Sequence, residues 1–270
     1  MPSKLRCNDM LKRFRIFALL ALLTTFFPKL CQANTLRILA PASLKESLTK
    51  CSHDYSVDHP DVHIQLSFGG SDIFATSILL GASVDLFISA DRTQMLRVVK
   101  ACKADAKEVH ILLTNQLVII TCKNNDAGIT NLQSLSEPRL RIAMAKDSVP
   151  AGAYALAMLN RANKIYGLNF QSKVMHNVVT EDLDVRQVLA HVALGQANAG
   201  FVYLTDAFVS SDKVSIINLP PALKTTATYS VAVLKTAMDV ASAEMFMKFL
   251  LSAQAQKDFH ERGFGPRPQK

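Results

Sequence analysis

The sequence of 270 residues contains no tryptophan, and aromatic residues make up only 7% of it. So few aromatic platforms argue against a protein that stacks on nucleic-acid bases. The sequence also lacks the G-x-S-x-G nucleophile elbow, the H-E-x-x-H zinc motif and the G-K-[ST] of a nucleotide-binding loop. These absences favour a binding protein over an enzyme.

Cysteine is rare, with five residues in the whole chain. Two lie near the N-terminus, and the other three are Cys51, Cys102 and Cys122. No C-x-x-C spacing occurs, and Pro60 argues against a helix that would bring His59 and His63 to one face. We therefore expect no directly coordinated metal cation and no cofactor. An exported protein would permit one disulfide among the three cysteines, but the simpler interpretation is small buried residues.

The first 33 residues are typical of an export signal. Basic residues precede an apolar run over residues 16–27, which is too short to span a bilayer. Pro28 follows, and Ala33 is a small residue at the predicted cleavage point. Cys31 offers the alternative of a lipoprotein, but bulky and charged residues precede it where a lipid-anchoring signal has small ones. We predict a soluble periplasmic protein, cleaved after Ala33.

Most of the basic charge lies in this signal. Its removal takes away six of the 30 Lys and Arg residues and one of the 22 Asp and Glu residues, which lowers the formal net charge from +8 to +3. A charge of +3 spread over a mixed surface does not make the basic stripe that tracks a phosphate backbone. We therefore predict no nucleic-acid partner.

The remaining chain alternates short apolar runs with longer amphipathic ones, which is typical of an α/β protein. Strands are predicted at residues 35–40, 62–68, 84–90, 115–122, 139–145, 172–179, 198–204 and 228–235. Helices are predicted at residues 43–55, 72–81, 92–102, 150–167, 184–196 and 241–263. The alternation of strands and helices occurs in two consecutive blocks of the sequence. This indicates two lobes with a ligand site in the cleft between them.

Four turns lead from a strand into a helix through small residues: APASL, FGGSD, DSVPAG and EDLDVRQ. They place at helix starts the residues Ser43, Ser71, Ala151 and Val185. A helix N-terminus exposes unpaired N–H groups and partial positive charge, so several of them converging on one cleft would bind a small oxyanion. A serine at a helix start is also a common cap, and Glu46 three residues after Ser43 has the spacing of a capping box.

The donors in these turns are mainly neutral N–H and O–H groups. Such a set suits a fully deprotonated oxyanion, which only accepts hydrogen bonds. Phosphate keeps a proton near neutral pH and therefore needs an acceptor as well. The acidic group at Glu181, Asp182 and Asp184 is interpreted as cap chemistry rather than a cation site.

Six segments resemble, in their residues and in their order along the chain, those of the periplasmic molybdate-binding proteins of ABC transporters. These proteins have the type II solute-binding fold. The segments are APASL, LSFGGS, VDLFISAD, VPAG, LDVRQVL and GFVYLTDA. The resemblance covers essentially the entire chain after the signal.

The resemblance implies a two-lobed periplasmic-binding-protein-like fold, each lobe a mixed sheet flanked by helices. Residues 34–114 plus 230–270 would form lobe 1, and residues 115–229 would form lobe 2. The oxyanion, molybdate or tungstate, would be bound in the interlobe cleft by Ser43, Ser71, Ala151, Val185 and Tyr203. The resemblance further implies an ABC permease in the inner membrane as partner and a monomeric protein without enzymatic activity.

Two positions depart from this family's pattern. Pro41 stands where the family usually has Ala, and Asp72 where it has a small or polar residue. Asp72 would repel a dianion unless its carboxylate points away from the site. The same fold binding sulfate, phosphate or an organic acid is the alternative, because site dimensions cannot be read from the sequence.

Overall fold

The computed structural model describes residues 34–268. The predicted signal of residues 1–33, with its cleavage point and Cys31, lies outside the described residues. Within the described part, no helix is long and apolar enough to cross a membrane.

The described residues contain eight strands and nine α-helices. The strands are β1 (Asn34–Pro41), β2 (Val62–Gly69), β3 (Leu86–Ser89), β4 (His110–Cys122), β5 (Ile142–Ala143), β6 (Ala199–Tyr203), β7 (Val214–Ile217) and β8 (Thr225–Val233). The helices are α1 (Lys45–Asp58), α2 (Ser71–Leu79), α3 (Arg92–Lys100), α4 (Pro150–Tyr166), α5 (Phe170–His176), α6 (Val185–Ala193), α7 (Leu204–Val209), α8 (Val240–Leu250) and α9 (Ala253–Glu261).

All eight strands belong to one mixed sheet with the order β2-β1-β3-β8-β4-β6-β5, and β7 also pairs with β4. Strand β1 is parallel to β2 and β3, and β5 is parallel to β6. Strands β8 and β4 lie between the two parallel groups. Strand β8 is antiparallel to β3 and β4, and β4 is antiparallel to β6, so the two groups run in opposite directions. Within each group, parallel strands carry their following helices away from the same edge.

The two longest strands cross both predicted lobe boundaries. Strands β4 and β8 pair through Thr114 with Thr228 and through Asn115 with Ala227. The predicted crossing points therefore fall inside paired strands rather than in loops. The chain from Asn34 onward forms one compact unit, and the division into two lobes stays a prediction.

Two apolar clusters fill the interior. The smaller one packs Ile78 of α2 and Met95 and Val98 of α3 against Phe87 of β3. The larger one includes the inner faces of β1, β4, β6 and β8 and the helices beside them.

The three described cysteines are free, and only Cys51 is buried, whereas Cys102 is exposed. The interpretation of the cysteines as buried residues is therefore wrong for Cys102.

Two predicted elements are wrong. Residues 172–179 were expected as a strand, but helix α5 covers Phe170–His176. Phe170 and Val174 are the buried residues of this helix, a spacing of four that places both on one face. The predicted helix 241–263 is two helices, because the Ser252 side chain accepts a hydrogen bond from the Ala255 N–H and starts a new helix there.

Candidate functional site

One small cavity lies where the predicted turns converge. It is lined by Pro41, Ala42, Ser43, Gly69, Gly70, Ser71, Ala90, Val149, Pro150, Ala151, Asp184, Val185 and Tyr203. The structure thus brings all five predicted site residues to one cavity, although they are up to 160 positions apart in the sequence. Two come from the β1–β2 side of the sheet and three from the β5–β6 side.

The size of the cavity limits its ligand. Its volume is about 20 Å³, whereas a cavity needs about 10–15 Å³ to hold one water molecule. Only a ligand of a few atoms fits such a space. A sugar or a peptide is too large for the cavity in this conformation.

The helix starts at the cavity keep free N–H groups. Helices α2 and α4 begin after Gly70 and Val149, and neither start has a side-chain cap. A 3-10 turn, Ala42–Leu44, precedes α1 and is also uncapped. The first N–H groups of a helix have no partner within it, so they are available to a ligand. The predicted capping box of Ser43 and Glu46 is wrong, since neither side chain caps this helix.

Both serine hydroxyls make contacts other than capping. Ser71 Oγ accepts a hydrogen bond from the Ala90 N–H at 3.1 Å. Ser43 Oγ lies 2.7 Å from Tyr229 Oη, and either atom can be the donor. Each serine is almost fully buried, with an exposed fraction of 3% for Ser43 and 1% for Ser71. The hydroxyls are therefore held by the protein beside the cavity rather than by solvent.

Tyr203 supplies a buried polar atom without a partner. It is 2% exposed, it lines the cavity, and its Oη has no hydrogen-bond partner. Burial raises the pKa of Tyr203 well above its ordinary value, so the hydroxyl stays protonated and can donate. An unpaired buried hydroxyl costs about 1–3 kcal/mol, which a ligand accepting its hydrogen bond would recover.

The charged side chains near the cavity make hydrogen bonds to other parts of the protein. None of the described residues that line it is Lys, Arg or His. The Asp184 carboxylate accepts from the N–H groups of Arg186 and Gln187 and thus caps α6. Asp72 does not line the cavity. Its Oδ2 accepts a hydrogen bond from Ser148 Oγ at 2.7 Å, whereas its Oδ1 is buried without a partner.

A charged cluster lies beside the cavity, which the sequence did not reveal. The Arg186 guanidinium binds both carboxylate oxygens of Glu46 and forms an ion pair with Asp206 at 2.6 Å. The Asp206 side chain is fully buried. Burial raises the pKa of Asp206 to about 6, although the Arg186 charge and the Tyr203 N–H oppose this rise. The positive charge of Arg186 is thus balanced by two carboxylates and does not face the ligand unpaired.

Comparison with known proteins agrees with this architecture. A family model described as bacterial extracellular solute-binding protein matches residues 36–265. The chain belongs to this family. The molybdate-binding protein ModA of Mycobacterium tuberculosis is 31% identical over 232 residues, which cover 86% of this chain and 85% of that protein. The predicted resemblance to molybdate-binding proteins and the prediction of a non-enzymatic function are confirmed.

Two solved structures show the same fold at low sequence identity. The periplasmic molybdate-binding protein of Azotobacter vinelandii has a TM-score of 0.73 and 20% identity, covering 87% of this chain and 100% of that chain. The sulfate-binding protein SubI of Mycobacterium tuberculosis has a TM-score of 0.78 and 18% identity, covering 86% and 87%. The predicted fold class is confirmed. The family also makes this protein an extracytoplasmic solute-binding component of an ABC transporter.

Proposed function

We propose that this protein binds molybdate, and tungstate with it, in the cavity lined by the five residues Ser43, Ser71, Ala151, Val185 and Tyr203. The observation that carries the proposal is the unpaired Tyr203 hydroxyl, which is fully buried against a cavity of a few atoms' size. A buried donor without a partner is rare in proteins and points to a ligand that accepts from it.

The number of donors is sufficient for tight binding. Three hydroxyls and the N–H groups of Ala151 and Val185 surround the cavity. A hydrogen bond to a charged group contributes about 1.5–3 kcal/mol, and micromolar affinity needs about 8 kcal/mol. Four or five such bonds contribute about 6–15 kcal/mol, which is enough in magnitude before the cost of ordering the ligand is subtracted.

Relatives support molybdate over other anions. The 31% identical relative is named as molybdate-binding, whereas the sulfate-binding neighbour is 18% identical. Tungstate is included because it has nearly the size and shape of molybdate. Sulfate is smaller, and a shell that fits the larger anion would leave donors too far from the sulfate oxygens.

The delivery step follows from the same proposal. The two predicted lobes, residues 34–114 plus 230–270 and residues 115–229, would close over the anion by a hinge within β4 and β8. The closed monomer would then present the anion to a permease in the inner membrane. Hinge closure around a ligand is a common motion of two-lobed binding proteins.

A calorimetric titration tests the ligand assignment. The chain from Asn34 onward is titrated with molybdate, tungstate, sulfate and phosphate, beside a Ser71→Ala variant. We expect exothermic binding of molybdate and tungstate, weakened about 10- to 100-fold in the variant because a charge-assisted hydrogen bond is lost. A response to sulfate or phosphate with none to molybdate would refute the assignment and leave only the fold.

Replacement of Tyr203 by phenylalanine should move affinity and stability in opposite directions. Molybdate affinity should fall about 10- to 100-fold, because one hydrogen bond to the anion is lost. The ligand-free protein should unfold at the same temperature or a higher one, since the change removes an unpaired buried hydroxyl. Calorimetry and thermal unfolding measure the two effects.

Tyr55 provides the matched control for this variant. Its Oη is also buried without a partner, but Tyr55 lies in α1, stacked against His59 and remote from the cavity lining. Tyr55→Phe should leave molybdate affinity unchanged. Equal affinities of Tyr203→Phe and the unaltered protein would contradict the role of Tyr203.

A further inference from the structure

We propose that Asn115 and Tyr229 are positioning residues that turn the Ser43 hydroxyl hydrogen toward the cavity and so restrict the site to fully deprotonated oxyanions. This inference rests on the proposed function of the cavity. Neither residue lines the cavity, and both act through Ser43.

The contact between Ser43 and Tyr229 can run in two directions. The two oxygens are 2.7 Å apart, and each carries one hydrogen. If Ser43 donates, its hydrogen is used and only lone pairs face the cavity. If Tyr229 donates, the Ser43 hydrogen is free for a ligand. Tyr229 is fully buried on β8, and burial raises the pKa of Tyr229, so its hydrogen is always present.

Asn115 decides between these directions. Its Oδ1 accepts a hydrogen bond from the Gln116 N–H at 2.9 Å, which fixes the orientation of the amide. The Nδ2 group then points to Thr205 Oγ1 at 2.9 Å and to Tyr229 Oη at 3.5 Å. An amide NH₂ only donates. Tyr229 Oη therefore accepts from Asn115. Its own hydrogen is buried and would be unpaired unless it is given to Ser43 Oγ, which lies 2.7 Å away.

The Ser71 hydroxyl also directs its hydrogen toward the cavity, but a backbone N–H orients it instead of a tyrosine. The Ala90 N–H donates to Ser71 Oγ at 3.1 Å, which occupies a lone pair and leaves the hydroxyl hydrogen for the cavity. Both serines thus present a hydrogen rather than a lone pair. An anion that carries a proton, such as hydrogen phosphate, would meet a donor where it needs an acceptor. An unmatched donor pair of this kind costs affinity.

Two variants test the inference by the ratio of molybdate to phosphate affinity at pH 8, where both anions carry a double negative charge. In Tyr229→Phe the Ser43 hydroxyl has lost its donor and is free to rotate. We expect molybdate affinity to fall about tenfold and the affinity ratio to fall with it. A change that only disturbs packing would weaken both anions alike and leave the ratio unchanged.

Asn115→Asp reverses the direction of the hydrogen bonds with almost no change of shape. The new carboxylate keeps the Gln116 N–H and accepts from Thr205 and Tyr229, and these three donors keep it ionised. Tyr229 then turns its hydrogen away, and Ser43 faces the cavity with lone pairs. The affinity ratio should fall by more than in Tyr229→Phe, because hydrogen phosphate now meets an acceptor.

The outcomes separate this inference from the proposed function. Absence of molybdate binding by the unaltered protein would refute the proposed function. Normal binding by the unaltered protein, with an unchanged affinity ratio in either folded variant, would overturn only the positioning role. Thermal unfolding checks that both variants are folded, and Tyr55→Phe is the control for loss of a buried tyrosine hydroxyl.

Discussion

Replacement of Arg186 by methionine is expected to lower the free energy of unfolding by about 3–5 kcal/mol. This is the range observed when one partner of a buried ion pair is removed. Asp206 is fully buried, and its ion pair with Arg186 is 2.6 Å long. Methionine keeps much of the apolar stem but leaves this carboxylate without a counter-charge. Glu46 also loses its partner, but its side chain is 34% exposed and can be hydrated instead.

The loss should be larger at pH 8 than at pH 5. Burial raises the pKa of Asp206 to about 6 in the native protein, with Arg186 opposing that rise. Without Arg186 the pKa rises further, so the variant holds a proton at pH values where the unaltered protein has released it. A group with a raised native pKa loses stability as the pH rises through that value. The difference between the two proteins therefore grows above pH 6.

Two further variants separate the buried charge from the surface charge. Glu46→Gln removes only the more exposed partner and should cost less than about 1 kcal/mol. The double variant Arg186→Met with Asp206→Asn should recover stability relative to Arg186→Met, because no uncompensated charge remains. The amide oxygen introduced by Asp206→Asn can still accept from the Tyr203 N–H, as the native carboxylate does. Urea unfolding at both pH values measures these differences. A pH-independent loss, or no recovery in the double variant, would contradict the ion-pair explanation.

The helix starts that line the cavity were predictable because their causes are local. A strand that ends in a short turn before a helix start is visible in APASL, FGGSD and DSVPAG, whereas EDLDVRQ follows helix α5 rather than the predicted strand. Within each parallel group the strands bring these helix starts to one edge of the sheet. The group β1–β3 and the group β5–β6 run in opposite directions, because three antiparallel pairings separate them. The meeting of the two groups at the cavity is therefore a tertiary feature. The pattern of the turns alone places Ser43, Ser71, Ala151 and Val185 at helix starts, without the family resemblance. Their role as ligands is still a prediction.

The residues behind the cavity were not predictable, since their contacts join distant parts of the chain. Ser43 and Tyr229 are 186 positions apart, and Glu46 and Arg186 are 140 apart. A tyrosine in an apolar strand looks like an ordinary core residue. Arg186 lies just beyond a predicted helix start, and its partners Glu46 and Asp206 are far from it or not recognisable as partners in the sequence. Tyr203 entered only through the family resemblance.

Helix α5 was missed for another reason. The segment SKVMHNVV has apolar residues at short, irregular spacing that fits a strand or a helix equally. The helix is decided by Phe170, which lies before the predicted segment and pairs with Val174 against the core. The Asn163 side chain of α4 also accepts a hydrogen bond from the Gln171 N–H at the start of α5. Tertiary contacts therefore overrode an ambiguous local pattern.

Replacement of Gly70 by alanine should weaken molybdate binding by about 150-fold, which corresponds to about 3 kcal/mol, the upper end of the range for overpacking. A Cβ at Gly70 would lie 2.5 Å from the Leu183 carbonyl oxygen and 2.7 Å from Asp72 Oδ1, distances that real Cβ atoms do not show. The Asp72 carboxylate can rotate away, whereas the Leu183 backbone carbonyl cannot. Gly70 follows β2, and Leu183 precedes α6, so the clash opposes the approach of the two sides of the cavity. The backbone of Gly70 is in an ordinary extended conformation and adds no strain of its own.

Gly69 is the matched control, one position earlier in the same turn. A Cβ there would lie 3.0 Å from Cζ of Phe74, which is the end of a side chain that can move by a few tenths of an ångström. Gly69→Ala should therefore bind molybdate within a few-fold of the unaltered protein. Equal affinities of the two variants would contradict the clash with Leu183 as the cause.

The same variant tests the division into lobes, because the clash has two ways to be relieved. If residues 34–114 plus 230–270 move apart from residues 115–229, Gly70→Ala stays folded in an open form and loses only affinity. Small-angle scattering would then show compaction on molybdate addition for the unaltered protein and for Gly69→Ala, but not for Gly70→Ala. If the two sides are instead one rigid body, the clash cannot be relieved by opening. The free energy of unfolding of the ligand-free variant would then fall by the same amount, and the predicted hinge in β4 and β8 would be wrong.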